Sequence, residues 1–344
     1  MEQKLSRSSS GRVTLATVAR AAGVSVPTVS RVLNGDQVAE TTRVRVEALL
    51  EEYGYRARKR RLPASSEMIH VVYPRLDSSW QLEHIRGMEA ATHAAGVGLL
   101  ISTLDRGDTG DHDLLRHARA GQAAGAILAA ASGETPLGKV LHQLNVPVIS
   151  LDPGAKAAAT LPTIGATNGV GARAATEHLI GLGHRRIGVI TGSKGGLLCS
   201  RARLDGYRAA LEAAGIAEDP SLIEHGEFDF QSGITAAQKL LDRTDPPTAI
   251  FACSDHIALG VYEAARRRGL LIPDDLSVVG FDDLPSARWA SPPLTTVRQP
   301  LEEMGWLAAQ TILNLTRRKA PESSGMELGT RLVERASTAS PSRP

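Results

Sequence analysis

The chain has 344 residues, 42% of them hydrophobic and 22% charged, values of a globular protein with room for two or three domains rather than a small disulfide scaffold or a disordered chain. It lacks the run of about eighteen apolar residues that a membrane-spanning helix needs. No apolar stretch follows the charged start Met1-Glu2-Gln3-Lys4, so the expected location is the cytoplasm. Two cysteines, Cys199 and Cys253, fit a reducing compartment.

The net charge of +2 conceals an asymmetry: residues 1–64 carry twelve Lys or Arg against six Asp or Glu, and the remainder carries 27 against 31. A basic head on a mildly acidic body is the distribution of a nucleic-acid-binding module joined to a second functional body.

In chain order, residues 1–12 are Ser-rich and polar, the composition of a disordered tail. Residues 13–55 carry three helical signals. Thr14 can cap a helix to about Ala21, broken by Gly23. Ser25 can cap a second to Leu33, closed by Asn34-Gly35, and Thr41 a third to Tyr53. Val18, Ala19, Val24, Val29, Val32, Val44 and Ala48 are spaced to share a small core. Residues 56–67 read as a basic linker.

From Met68 the pattern becomes short apolar runs alternating with helix-length segments. The runs are 69–73, 97–101, 126–130, 146–150, 187–191, 222–224, 249–252 and 277–281. Strand and helix alternating over residues 68–335 argue for α/β structure with doubly wound parallel sheets, and two sheets of about five strands divide the length naturally. Residues 336–344 read as a C-terminal tail.

The sharpest motif is helix, tight turn, helix around Gly23. With Val29, Val32 and Leu33 inward, the segment after Ser25 presents Val26, Pro27, Ser30 and Arg31 on its outer face, because 26 and 30, and 27 and 31, are four apart. In a major groove Arg31 can chelate guanine while Val26 and Pro27 meet thymine methyls. Thr14, Ser25, Thr28 and Asn34 suit phosphate contacts.

These residues resemble the lactose-repressor (LacI/GalR) family of bacterial transcription regulators. The resemblance lies in Ala22-Gly23-Val24-Ser25, Thr28-Val29-Ser30-Arg31-Val32-Leu33-Asn34 and Gly54-Tyr55. It continues in Gly183-His184-Arg185-Arg186-Ile187, Ser254-Asp255, the stretch Leu276 to Asp283, and Pro293-Leu294-Thr295-Thr296-Val297. It implies a small all-α helix-turn-helix head and a two-lobed core like the periplasmic sugar-binding proteins. It also implies a homodimer on a near-palindromic double-stranded operator, governed by a small-molecule effector, foremost a sugar. The linker departs from the family pattern: the proline expected after Tyr55 is missing, Leu62 comes about two residues early, and Pro63 would end a hinge helix at once. Arg58, Arg60 and Arg61 are therefore expected to hold DNA by charge, with Leu62 the remaining candidate for a minor-groove contact.

In open α/β sheets ligands bind beyond the carboxyl ends of strands. The segments following the apolar runs hold Asp77 and Trp80, Asp152, Arg203, Phe228, Asp255 and Trp289. An aromatic plate faced by carboxylates and a guanidinium suits a polyhydroxylated ligand. The family's effector positions carry over to Trp80, Asp152, Arg203, Phe228 and Asp255; Asp77 and Trp289 are added from their loops alone. The pair Asp282-Asp283 reads as a strand-ending turn with Asx hydrogen bonds. Gly192 to Gly196 does not fit phosphate-loop spacing and reads as a loop at the pocket mouth. The histidines lack metal-ligand spacing, and no nucleophile with base and orienting acid emerges, so no metal, cofactor or catalytic residue is expected. A sugar-binding transport receptor, and the same fold with a purine or another metabolite as effector, are the competing readings.

Overall fold

The computed structural model describes residues 15–34, 38–53, 68–103, 110–129, 141, 144–153, 161–193, 197–317 and 325–342. The chain divides into two compact units, residues 1–60 and 61–344. The expectations for the tail 1–12, for Thr14, and for the linker residues Arg58, Arg60, Arg61 and Leu62 fall outside the described residues.

The first unit holds α1 (Leu15–Ala22), α2 (Val26–Asn34) and α3 (Glu40–Glu52). Gly23, at φ +65°, ends α1 in the left-handed conformation a side chain resists, and Val24 N–H returns to Ala19 O at 3.0 Å. Ser25 caps α2 through Thr28 N–H at 3.3 Å. The shared core is Val18, Ala19, Ala22, Val29, Val32 and Val46, with Leu15, Val24, Val38, Leu49 and Leu50 packed against it. This corrects the expected use of Val44 and Ala48, which are both exposed. The inner stripe of α3 falls on Val46, Leu49 and Leu50, and Val44, two positions from Val46, lies on the opposite face.

The second unit is built on two six-stranded sheets, one strand each more than expected. The first lobe contains β1 (Met68–Tyr73), β2 (Gly98–Thr103), β3 (Ala123–Ala129), β4 (Val148–Leu151) and β5 (Thr163–Ala166), with α4 (Ser79–Ala95) and α5 (Gly110–Ala120). After α6 (Asn168–Gly181) the second lobe begins with β6 (Ile187–Thr191), α7 (Leu198–Ala213), β7 (Ile223–His225), α8 (Phe230–Leu241) and β8 (Ala249–Ala252). It continues through α9 (Asp255–Arg267), β9 (Ser277–Asp282), α10 (Pro285–Trp289) and β10 (Thr295–Arg298).

The chain then returns. α11 (Leu301–Thr316) packs on the first lobe, β11 (Gly325–Leu328) pairs with β5, and β12 (Arg331–Val333) crosses back to pair antiparallel with β10. The first-lobe core therefore combines Ile69, Met88, Ile127 and Ile149 with Met304, Ala308 and Ile312 from far along the sequence. Helices α4 and α11 approach closely at two glycines: a Cβ on Gly87 would strike the Glu302 carbonyl, and one on Gly305 the His84 carbonyl. Leu284, from the second-lobe segment after β9, also joins this first-lobe core, so the lobes share a packed junction.

The segment read as a C-terminal tail is part of the second lobe as far as it is described. Ser337 O accepts from Val278 N–H at 2.9 Å, Ser337 Oγ accepts from Thr295 N–H at 2.8 Å, and Ala339 O meets His184 Nε2 at 2.9 Å. Its polar composition concealed this role, because backbone and hydroxyl groups rather than an apolar stripe dock it.

Candidate functional site

In the first unit, the outer face of α2 has the predicted character. Val26 is 41% exposed, Pro27 and Arg31 are exposed, and Ser30 is half-buried, while Val29 and Val32 are buried beneath them. Ser25 Oγ and Thr28 Oγ1 are joined at 2.8 Å, so two hydroxyls are held together at the helix start. The side chains of Leu33 and Asn34 are outside the described residues.

In the second unit, Arg203 is the hub. Helix α7 places it between the ends of β8 and β9, only 3% exposed. Its Nε donates to Asn168 Oδ1 at 2.8 Å and its Nη1 to Cys253 O at 2.5 Å, with Asp282 Oδ1 at 3.7 Å. The guanidinium carbon stands 3.8 Å from the Phe281 ring centroid and 5.7 Å from that of Phe228. Burial works against the charge on Arg203, but Asp282, the thiols and Asp152 overcome it and raise its pKa.

Asp152 and Asp282 end strands of different lobes, β4 and β9, and both are buried. Both have positive φ, 46° and 115°, conformations unusual for residues with a side chain. Burial raises the Asp152 pKa, opposed by Arg203. It lifts Asp282 to about 7 in spite of Arg203 and of the bond from Gln299 Nε2 at 2.6 Å. The reading of Asp282-Asp283 as an Asx turn is corrected: Asp282 bonds Gln299, while Asp283 pairs with Arg298 at 2.5 Å and with Arg335. Side-chain partners from distant segments, invisible to a local reading, take these carboxylates.

Asp255 opens α9 after its cap Ser254, whose Oγ accepts from Ile257 N–H at 3.2 Å. Both of its carboxylate oxygens are used internally, one by Leu284 N–H at 2.7 Å and one by Thr296 Oγ1 at 2.5 Å. Burial and the neighbouring Asp282 hold its pKa well above the usual carboxylate range. Asp255 here fixes the turn after β9. Phe228 is half-buried against the cores around β8 and β9.

Trp80 sits in the first turn of α4, whose start is fixed by Gln81 Oε1 accepting from Ser78 N–H at 2.8 Å. The indole packs on the first-lobe core and edge-on to His84, with ring centroids 4.3 Å apart. Asp77 is exposed and paired with Arg75 at 3.2 Å. Beside it Ser79 Oγ meets His256 Nε2 of the opposite lobe at 3.4 Å. Trp289 is the clear departure: at 79% exposure on the short helix α10 it faces solvent and belongs to no enclosed cluster. Ala287, two positions before it, takes the buried side of that helix, and Trp289 falls on the opposite side.

Arg203, Phe228 and Asp255 of the second lobe and Asp152 of the first are thus drawn into one neighbourhood, with Asp77 and Trp80 also on the first lobe. The sequence reading missed Asn168 and Gln299 entirely. Asn168 could have been suspected from its place just beyond β5; Gln299 carries no local signal. No group of His, Cys, Asp and Glu able to hold a metal occurs among the described residues. Cys199 and Cys253 are buried and free, their thiols pushed up to about 12 by burial, which makes them inert as nucleophiles. No helix among the described residues is long and apolar enough to cross a membrane.

Comparison with known proteins extends these observations. Residues 14–57 match the family described as bacterial regulatory proteins, lacI family, and residues 176–338 match the periplasmic binding protein-like domain. The HTH-type transcriptional repressor CytR of Escherichia coli (strain K12) is 35% identical over 94% of this chain and 96% of its own length. The HTH-type transcriptional regulator CelR of Thermobifida fusca is 34% identical over 95% and 98%. Among solved structures, a transcriptional regulator CelR–cellobiose complex superposes with a TM-score of 0.72 at 32% identity, covering 95% of this chain and all of the other. The lac repressor dimer bound to operator and the anti-inducer ONPF gives 0.67 at 27% identity over 96% and 100%. The chain belongs to the lacI family of bacterial regulatory proteins, helix-turn-helix transcription regulators joined to a periplasmic-binding-protein-like core.

Proposed function

We propose that this protein is a cytoplasmic repressor, not an enzyme, which binds a near-palindromic operator as a homodimer and changes its operator affinity when a sugar or small oligosaccharide enters between the lobes of the core. Arg31, Val26 and Pro27 read base edges. Ser25 and Thr28, with Thr14 and Asn34, hold phosphates, and Arg58, Arg60 and Arg61 add charge, with Leu62 beside them. Trp80, Asp152, Arg203 and Phe228, with Asp77 at the mouth, take the effector, and Asp255, its oxygens held by Leu284 and Thr296, braces the turn behind them.

The observation that carries the effector reading is the Arg203 cluster: a buried guanidinium beside Phe228, with Asp152 from one lobe and Asp282 from the other within its field. Carboxylates that accept, a guanidinium that donates and an aromatic face together match the hydroxyls and C–H faces of a sugar. A ligand touching both lobes binds one lobe arrangement better than another, the differential contact an effector needs. Cellobiose, present in the CelR complex, is a natural first probe.

The test is titration of the full chain onto DNA from upstream of its own gene, with and without cellobiose, ribose and other neutral sugars. A sugar-dependent shift in affinity that disappears in Arg203→Lys supports the reading. Response to a purine nucleoside alone would reassign the effector class, and absence of operator binding would remove the DNA function.

A further inference from the structure

Asp152 follows β4 in the first lobe and is aimed at the second. Its charge acts on Arg203, Cys199 and Asp282, all of the second lobe, so its carboxylate faces the space between the two. The residue is only 7% exposed, yet among the described residues no donor lies within hydrogen-bond distance of either carboxylate oxygen. Neither oxygen is among the sealed side-chain atoms of the interior, in contrast to Gln299 Oε1. A carboxylate this deeply buried ordinarily recruits donors, because losing water without them is costly.

Arg203 does not supply the missing bonds. Its Nε is held by Asn168 and its Nη1 by Cys253 O, and Asp282 already draws on its charge from 3.7 Å. One guanidinium therefore stands against two carboxylates, with Asp255 as a third beside Asp282. The mouth adds to the same sign. There His256, whose pKa burial lowers, is flanked by Asp77 of the first lobe and Asp229 of the second, and only Asp77 has a cation, Arg75, at 3.2 Å. Whatever sits between the lobes has to bring donors to Asp152 and no negative charge.

We propose that Asp152 is a charge filter, which accepts from the hydroxyls of an uncharged sugar and rejects phosphorylated and carboxylate-bearing ones. The inference rests on the sugar reading of the Arg203 cluster and narrows its ligand class. Hydroxyls that donate to Asp152 form charge-assisted bonds. A phosphate or carboxylate in the same place meets Asp152 and Asp282 in a desolvated space, where the one guanidinium is already shared. Such an anion has to bring protons with it, onto Asp152 or Asp282. The two ligand classes therefore respond to pH in opposite directions: acidification neutralises the carboxylates, which loosens an uncharged sugar and admits an anion.

The test is isothermal titration of the full chain with ribose, glucose and cellobiose, and with ribose 5-phosphate, glucose 6-phosphate and glucuronate, on either side of the Asp282 pKa of about 7. On the alkaline side a neutral sugar should bind at least about tenfold more tightly than its anionic counterpart, ~1.4 kcal/mol. On the acid side the gap should narrow from both ends. Asp152→Asn should weaken the neutral sugar by about tenfold and bring the anion to within about threefold of it. Asp205→Asn, on the exposed side of α7, should leave the preference intact. Equal or tighter binding of an anionic counterpart, a gap that widens on acidification, or an undiminished preference in Asp152→Asn would overturn the charge filter and leave the sugar reading standing. The absence of saturable binding by either class would remove both together.

Discussion

The two candidate sites are opposite in construction. The outer face of α2 is a set of neighbours in sequence, exposed, with little bound to it but its own cap. The Arg203 cluster draws residues 152, 168, 203, 253, 282 and 299 into one buried network of hydrogen bonds and charge contacts. A surface that reads DNA has to keep its donors in water until the groove arrives, so its residues add little to stability. A site that senses a small molecule by lobe arrangement must be rigid within each lobe, and its residues serve folding and binding together. Substitutions should therefore separate stability from function in the first region and fail to do so in the second.

The largest effect is expected from Arg203→Ala, which strands Asp282 and Asn168 in a buried site. Breaking such a pair should cost ~3–5 kcal/mol, measurable by urea unfolding of the core. A change below about 1 kcal/mol would show that the cluster is held by packing rather than charge.

The next test exploits Asp282. Its folded pKa of about 7 exceeds its ordinary 3.8, so between these values the native state keeps a proton that the unfolded chain has released. Its stabilising contribution is complete at low pH and is lost as pH rises through about 7. Asp282→Asn should flatten that slope in denaturant titrations at a series of pH values, and Asp255, shifted in the same direction, should account for what remains.

Arg31→Ala inverts the pattern: operator affinity should fall by ~1–3 kcal/mol per half-site, with relaxed preference at one base pair, while the melting temperature stays put. Unchanged base preference in competition binding would move the reading face elsewhere. Ser25→Ala lies between the two regimes, since its hydroxyl both caps α2 and is free to meet phosphate. A loss of ~1 kcal/mol of head stability is expected, together with a modest drop in operator affinity. The smallest effect belongs to Val44→Ala, within about 0.5 kcal/mol. Val46→Ala in the core should exceed it clearly, which checks the corrected phase of α3 by thermal melting of the two variants.

Local chemistry made much of this legible. Ser25 as cap, Gly23 as turn, and the alternation of Val29 and Val32 with Arg31 are decided within ten residues, because helix capping and periodicity are short-range effects. The same holds for strands such as Ile187–Thr191 and Ala249–Ala252, whose unbroken apolar runs match a sheet buried on both faces. The strand β10, Thr295–Arg298, went unread because Thr295 and Thr296 look like surface residues. They are buried by hydrogen bonds to Ser337, Arg335 and Asp255 that no window contains.

Helix α11 likewise has ordinary helical composition, yet nothing in it says that it serves the first lobe. The sequence alone determined the helix-turn-helix, the α/β class, two lobes, and which carboxylates, guanidinium and aromatics stand near strand ends, since these follow from periodicity and turn chemistry. Only the tertiary structure decided that the chain crosses back to complete the first lobe, that Trp289 faces water, and that Asn168 and Gln299 hold the ends of the Arg203 network. The physical reason is that burial and side-chain pairing across a hundred residues depend on which surfaces meet, a property of the assembled sheets that no segment carries by itself.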